Sequence, residues 1–354
     1  MKKYLLLFLT LIFCICLIGC EMPTTPGGNT GGNTGGNNGG NNSGGTDNPG
    51  GDSTLVENPK LNIEYDYPMH EFFEQENPFT ELVDMKIYIG YYPQREITDK
   101  SMVAKLNSIT TLNDRGFIEY DGNEFVKVTI VNNHIYGEHP GNDDVYYYST
   151  QYKVGTTHFF LVEPLCWKVL SITENEYFLV TDDIIDTRAF HFVTKIEEID
   201  GVETRPSDYT TSSIRKWLNE EFYDICFTEE EKTWIKESVN EIDSIDVLTG
   251  KTLEGETIDK VFLLSYKEVT NRNLGFFGVD ARRARCSDYA RAKGLTNVNS
   301  DILASSNWWT RSGFEYTPLF PAMVKYDGTA DNPYYPDGVN IGVRPAIKII
   351  YEEK

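Results

Sequence analysis

Residues 157–182 read Thr-His-Phe-Phe-Leu-Val-Glu-Pro-Leu-Cys-Trp-Lys-Val-Leu-Ser-Ile-Thr-Glu-Asn-Glu-Tyr-Phe-Leu-Val-Thr-Asp, and this stretch decides the fold class. It holds three β-rich runs, Thr157–Val162, Leu165–Thr173 and Tyr177–Asp182, and the polar break Glu174-Asn175-Glu176 predicts a hairpin between the last two. Successive side chains of a strand point to opposite faces. Trp167, Val169 and Ser171 therefore share one face, Leu170 and Ile172 the other, and both faces carry apolar groups. A sheet built from such strands is expected to be covered on both sides.

Working outward, Met85–Gly90 alternates as a strand and is ended by Tyr92-Pro93-Gln94. Downstream come helix signals. Ile214, Trp217, Leu218 and Phe222 recur at helical spacing behind the N-cap candidates Ser212 and Ser213, and Thr228-Glu229-Glu230-Glu231 reads as a capping box. Val261–Leu264 is a short buried strand, Ser265 with Glu268 starts another helical turn, and Ser287–Lys293 is a brief helix stopped by Gly294. Strands return at Trp308–Thr310, Ala322–Tyr326 and Val343–Ile350, with Asp327-Gly328 as a turn. Strands, then helices, then strands predict an α+β fold of mixed or antiparallel sheets with a few short helices.

The amino-terminal end is of another kind. Lys2 and Lys3 precede an apolar run from Tyr4 to Ile18, the layout of a signal peptide and too short to favour a permanent span. Leu17-Ile18-Gly19-Cys20 resembles the lipobox of bacterial lipoproteins. That resemblance implies cleavage after residue 19, a diacylglycerol thioether on Cys20, and anchoring in a membrane of the cell envelope. Residues 20–53 then form a lipidated, Gly/Asn-rich tether with too little apolar surface to order itself. Residues 54–84 are an acidic lead-in, and 85–354 the extracellular globular domain.

Loss of Lys2 and Lys3 takes the formal charge from -22 to -24. A field of that sign repels nucleic acid, so nucleic-acid partners are excluded while neutral glycans, cations and basic proteins remain. Cysteines Cys166, Cys226 and Cys286 are left in the domain, an odd number that rules out a full disulfide framework; a single bridge or inert core thiols stay open.

Several landmarks resemble an uncharacterised bacterial extracellular domain family found in lipoproteins. They are Tyr92-Pro93-Gln94, Glu163 to Leu170, Ser213 to Asn219, Val261 to Ser265, Asp288-Tyr289-Ala290, Trp308 to Ser312 and Gly342 to Ala346. The carboxy-terminal half is also similar to C-type-lectin-like and formylglycine-generating-enzyme-like folds, through its doubled Trp strand, hairpin and final strand bearing Arg344-Pro345. This second similarity implies that the first and last strands, Met85–Gly90 and Val343–Ile350, pair. The paired reactive cysteines of a formylglycine-generating enzyme have no counterpart here.

Site candidates are few. The histidines His70, His134, His139, His158 and His191 lack zinc-ligand spacing and are read as solvated or core residues. Trp308 and Trp309 alternate on a strand, where one could stack on a sugar while core packing takes the other or both. Arg311 and Arg344 are either anion clamps or buried partners of carboxylates. The loop Tyr326–Asn340 collects the oxygen ligands Asp327, Asp331, Asp337 and Asn340, suited to Ca²⁺, beside Tyr334 and Tyr335, suited to stacking; a plain solvated loop is the alternative. The expectation is a surface-displayed lipoprotein acting as a glycan- or protein-binding or adhesion module. An unusual enzyme of the formylglycine-generating-like fold and a structural envelope protein are the alternatives.

Overall fold

The computed structural model describes residues 62–65, 85–130, 152–199, 201–242, 244–246, 251–253, 255–295, 304–314, 319–330 and 332–350. Contacts divide the chain after Val56, and the unit Glu57–Lys354 carries every described residue. Cys20, the tether and Asp331 lie outside them. The fold is α+β, with largely antiparallel sheets and short helices.

The stretch 157–182 is the spine. Thr157–Val162 and Leu165–Thr173 are one strand, Thr157–Thr173, which runs through Pro164. Proline has no N–H to give the ladder, and the partner strand Met85–Glu96 accommodates it with a register shift between Tyr88 and Tyr91. Gly90 stands at that shift with φ +74, and its N–H donates to Glu231 Oε1 at 2.8 Å. A Cβ there would come within 2.7 Å of Cys226 Sγ, so glycine serves both the backbone and the close approach. The expected hairpin is present, closing at Thr173 opposite Glu176, with Glu174 at φ 56.

An eight-stranded sheet forms around this hairpin. Along it lie Asn62–Tyr65, Met85–Glu96, Thr157–Thr173, Glu176–Thr181, Pro345–Ile350 and Val261–Leu263, with Ile118–Tyr120 and Asn123–Thr129 added beside the start of the long strand. The sheet thus begins upstream of Met85, where the sequence places its start. The pairing of first and last strands implied by the lectin-like similarity is absent. Met85–Tyr88 is flanked by Asn62–Tyr65 and the long strand, and Ala346–Ile347 by Leu179–Val180 and Val261–Phe262.

Both faces of the sheet are covered, as expected, but the register shift between Val169 and Ser171 puts Ile172 against the Trp167 cluster and not on the Leu170 face. Trp167, Val169, Leu179, Leu263 and Ile347 enter one buried cluster, whereas Leu170, Val180, Phe262 and Ala346 enter another. A second, five-stranded sheet orders Asn332–Pro333, Pro321–Val324, Trp308–Gly313, Gly342–Val343 and Asp186–Thr187. Its turn after Val324 is the expected one, with Lys325 N–H donating to Thr329 O and Gly328 at φ 84.

Helices start where their caps predict. Ser212 accepts from Arg215 N, and helical residues follow from Ser213 to Cys226, with a π-helical stretch at Leu218–Phe222. Thr228 with Glu231 and Ser265 with Glu268 form complete capping boxes. Beside the Ser213–Cys226 helix lies a ribbon, Ser238–Glu241 with Glu256–Asp259, whose pattern is inverted: Ser238, Asn240, Thr257 and Asp259 are buried while Val239 and Ile258 are exposed. The Asp259 carboxylate makes this tolerable by accepting from Arg215 Nε at 2.7 Å and Thr257 Oγ1 at 2.5 Å. Among the described residues no helix is long and apolar enough to cross a membrane.

Candidate functional site

The sequence-predicted aromatics are core residues. Trp308 and Trp309 are both fully buried, in different clusters, and donate from Nε1 to Arg282 O at 3.1 Å and to Arg188 O at 2.8 Å. Neither ring is open to a sugar, because the strand that carries them has a packed layer on each face. Arg311 is likewise internal: it holds Glu268 at 2.5 Å and donates to Leu263 O and Glu241 O. Arg344 is buried over the Trp308 ring and donates from Nε to Thr181 O, with desolvation lowering its basicity. Arg311 thus serves as an internal partner of Glu268, whereas the buried Arg344 keeps Nη1 without a partner among the described residues.

In the oxygen-rich loop the described side chains are engaged locally. Asp327 accepts from Thr329 N at 2.9 Å, Asn340 donates to Tyr334 OH at 3.1 Å, and Tyr334 packs edge-on against Trp309. Tyr335 is exposed and Asp337 half-buried. Among the described residues no group of three or more His, Cys, Asp or Glu side chains is placed to hold a metal ion. The three thiols are free. Burial, reinforced by Asp182 and Asp183 respectively, pushes Cys166 up to about 11 and Cys286 up to about 12, and burial with Glu231 pushes Cys226 well up. Thiols so disfavoured as thiolates are poor nucleophiles.

What the loop does is brace a neighbouring segment. Thr187 Oγ1 donates to Val339 O and Ile341 O, Arg188 N to Ile341 O, and His191 N to Pro336 O. From the other side Ile214 N donates to Phe190 O, so residues 187–191 are pinned between the loop and the Ser213–Cys226 helix. Between this segment and the helix opens a cavity of about 410 Å³, lined among others by Arg188, Phe192, Ser213, Lys216, Trp217 and Glu221. That is within the usual size of a small-ligand site.

Its chemistry is specific. The Arg188 guanidinium lies 4.1 Å from the Trp217 ring centroid, and Nη2 reaches Glu221 at 3.3 Å. Phe192 is 60% exposed at the rim. Behind Ser213, His191 Nδ1 accepts from Val193 N at 3.4 Å and lies 3.2 Å from Ser213 Oγ; desolvation, opposed by Asp208 and Glu197, lowers its pKa. Five buried side-chain polar atoms lack a partner among the described residues; two of them, Arg188 Nε and Trp217 Nε1, belong to residues that line this cavity. Both are N–H donors, and each unmet donor costs about 1–3 kcal/mol. Sequence reading placed Trp217 on an apolar stripe and gave Arg188 no role; no local motif marks a pair 29 residues apart in the chain.

A larger cavity, about 570 Å³, lies elsewhere, lined by Glu96, Lys100, His158 and Phe159. There His158 Nδ1 is 2.6 Å from Glu96 Oε1, His158 Nε2 is 2.8 Å from Thr156 Oγ1, and Tyr152 OH donates to Glu96 Oε2 at 3.1 Å. Burial, then the Glu96 charge, holds the Tyr152 hydroxyl protonated. This relay also escaped the sequence reading, since its members come from separate strands and a turn.

The fold is an α+β domain, and the Arg188 cavity is its candidate site. Residues 174–350, half of the 354-residue chain, match the family described as a domain of unknown function (DUF6273), and the chain belongs to that family. The landmarks Tyr92-Pro93-Gln94 and Glu163 to Leu170 lie upstream of the matched residues; the Arg188 cavity lies wholly within them and the Glu96 cavity outside. Neither a curated protein nor a solved structure matches the chain.

Proposed function

We propose that the protein is an exported, lipid-anchored binding module, held to the cell envelope through Cys20 and presenting a site for a glycan or a protein. The observation that carries the binding reading is the Arg188–Trp217 cavity, where an aromatic rim, paired charges and unmet N–H donors share one wall. Ligand sites are concave and place a few polar groups among apolar ones. The basic start, apolar core and Leu17-Ile18-Gly19-Cys20 support export and anchoring, and the Gly/Asn-rich segment supports display at a distance. The test is a glycan and host-protein array probed with the detergent-solubilised full chain and its Arg188→Ala variant. Binders lost in the variant are expected; no binder across the panel rejects the reading.

A second reading, enzymatic, draws on the Glu96–His158–Thr156 relay beside its cavity. A carboxylate that orients an imidazole beside a hydroxyl is a base arrangement used in acyl transfer; here the Thr156 hydroxyl donates to Lys153 O at 2.5 Å and must leave that acceptor before His158 can take its proton. Turnover of ester or amide substrates that is abolished in His158→Gln would favour it; turnover unchanged in that variant would remove it. Thiol chemistry of the formylglycine-generating kind has less support, given that burial raises the pKa of all three thiols.

A further inference from the structure

We propose that the ligand of the Arg188 cavity is a neutral sugar ring, seated against Phe192, with its hydroxyls bridging Arg188 and the carboxylates of Glu220 and Glu221. The proposal rests on the binding reading above and names its ligand class.

Charge decides first. Among the lining side chains Arg188 and Lys216 balance Glu220 and Glu221, so the cavity holds no excess cation to capture an acid. The chain around it carries a formal -22, which disfavours anions further. Hydrogen-bonding roles decide next. The wall offers donors from Arg188 and Lys216 and acceptors from Glu220 and Glu221. A sugar hydroxyl both donates and accepts, and meets such a wall without a formal charge. Phe192 then supplies the apolar surface that the C–H face of a pyranose covers. A compact cavity of about 410 Å³ suits a ring better than an extended peptide, which is usually recognised along a sheet edge or groove.

Arg188 is the moving part. Its guanidinium rests on the indole, Nε has no acceptor, and its ionic contact at 3.3 Å is to Glu221, a side chain more than half exposed. A turn of the guanidinium off the ring gives Nε–H an acceptor on the ligand and uncovers the indole that it now shields. Ligand binding is therefore expected to register at Trp217 itself.

The experiment titrates the full chain in detergent micelles with neutral oligosaccharides (malto-, cello-, galacto- and N-acetylglucosamine oligomers), with oligogalacturonate and sialyllactose, and with an acidic and a basic peptide pool. Affinity is read by calorimetry, and the ¹⁵N indole resonance of Trp217, assigned with Trp217→Phe, reports the site. At least one neutral oligosaccharide is expected to bind, to shift that resonance, and to weaken tenfold or more in Arg188→Ala. Phe192→Ser, at an exposed position that should not disturb folding, is expected to do likewise. Acidic sugars binding tenfold tighter than neutral ones would overturn the neutral class and leave the binding reading standing, as would binding of peptides alone. Sugar binding that persists within twofold in both variants would place the site elsewhere. No binding by any probe would reject the binding reading along with the proposal.

Discussion

Replacing Trp217 separates its two contributions. The side chain is 7% exposed, belongs to the main cluster, and packs at 5.3 Å against Phe222 and at 4.1 Å under Arg188. Truncation of a buried Trp to Ala costs about 3–5 kcal/mol through lost burial and the cavity left behind. Against this, removing a buried N–H without a partner returns about 1–3 kcal/mol. The net expectation for Trp217→Ala is a loss of about 2 kcal/mol, the midpoint of a range of about 0–4. Trp217→Phe keeps most of the packing and removes the same N–H, so its loss is expected to be under about 1 kcal/mol. Urea unfolding followed by circular dichroism measures both, provided the slope with denaturant is unchanged. Equal losses for the two variants would refute the reasoning, since they would mean that Nε1–H is satisfied in the folded protein and that its loss is what costs.

Three other outcomes can be checked directly. His191 has its pKa depressed below the ordinary 6.5 by burial, so the unfolded chain binds more protons there; stability is full above about pH 6.5 and falls as the pH drops toward the folded value. His191→Gln is expected to flatten that slope in urea midpoints between pH 7.5 and 5, and an unchanged slope would show that the proton goes elsewhere. Cys20→Ser is expected to leave the chain unlipidated, because the thioether needs sulfur; equal detergent-phase partitioning of variant and parent would reject the anchor. Millimolar Ca²⁺ and Mg²⁺ are expected to shift the melting temperature equally, since Asp327 is engaged by Thr329 and the described residues hold no carboxylate cluster. A shift confined to Ca²⁺ and lost in an Asp331→Ala, Asp337→Ala double variant would restore the loop as a site.

Local physics made much of the fold legible. The hairpin at Glu174, the coverage of both sheet faces, the caps at Ser212, Thr228 and Ser265, and the turn at Asp327-Gly328 all follow from alternation, side-chain oxygens and turn chemistry within a few residues. Strand partners did not follow, because a strand's pattern states which face is buried and not which neighbour it pairs with; Met85–Glu96 and Pro345–Ile350 share a sheet with two strands between them. The site was hidden for a related reason. Trp308, Trp309 and Arg311 look like ligand groups in sequence, and only the layers packed on each side of their strand make them core. Arg188 and Trp217 carry no motif. They line one cavity because the 187–191 segment is clamped between the Tyr326–Asn340 loop and the Ser213–Cys226 helix, and that closure across the chain leaves Arg188 Nε and Trp217 Nε1 without partners among the described residues.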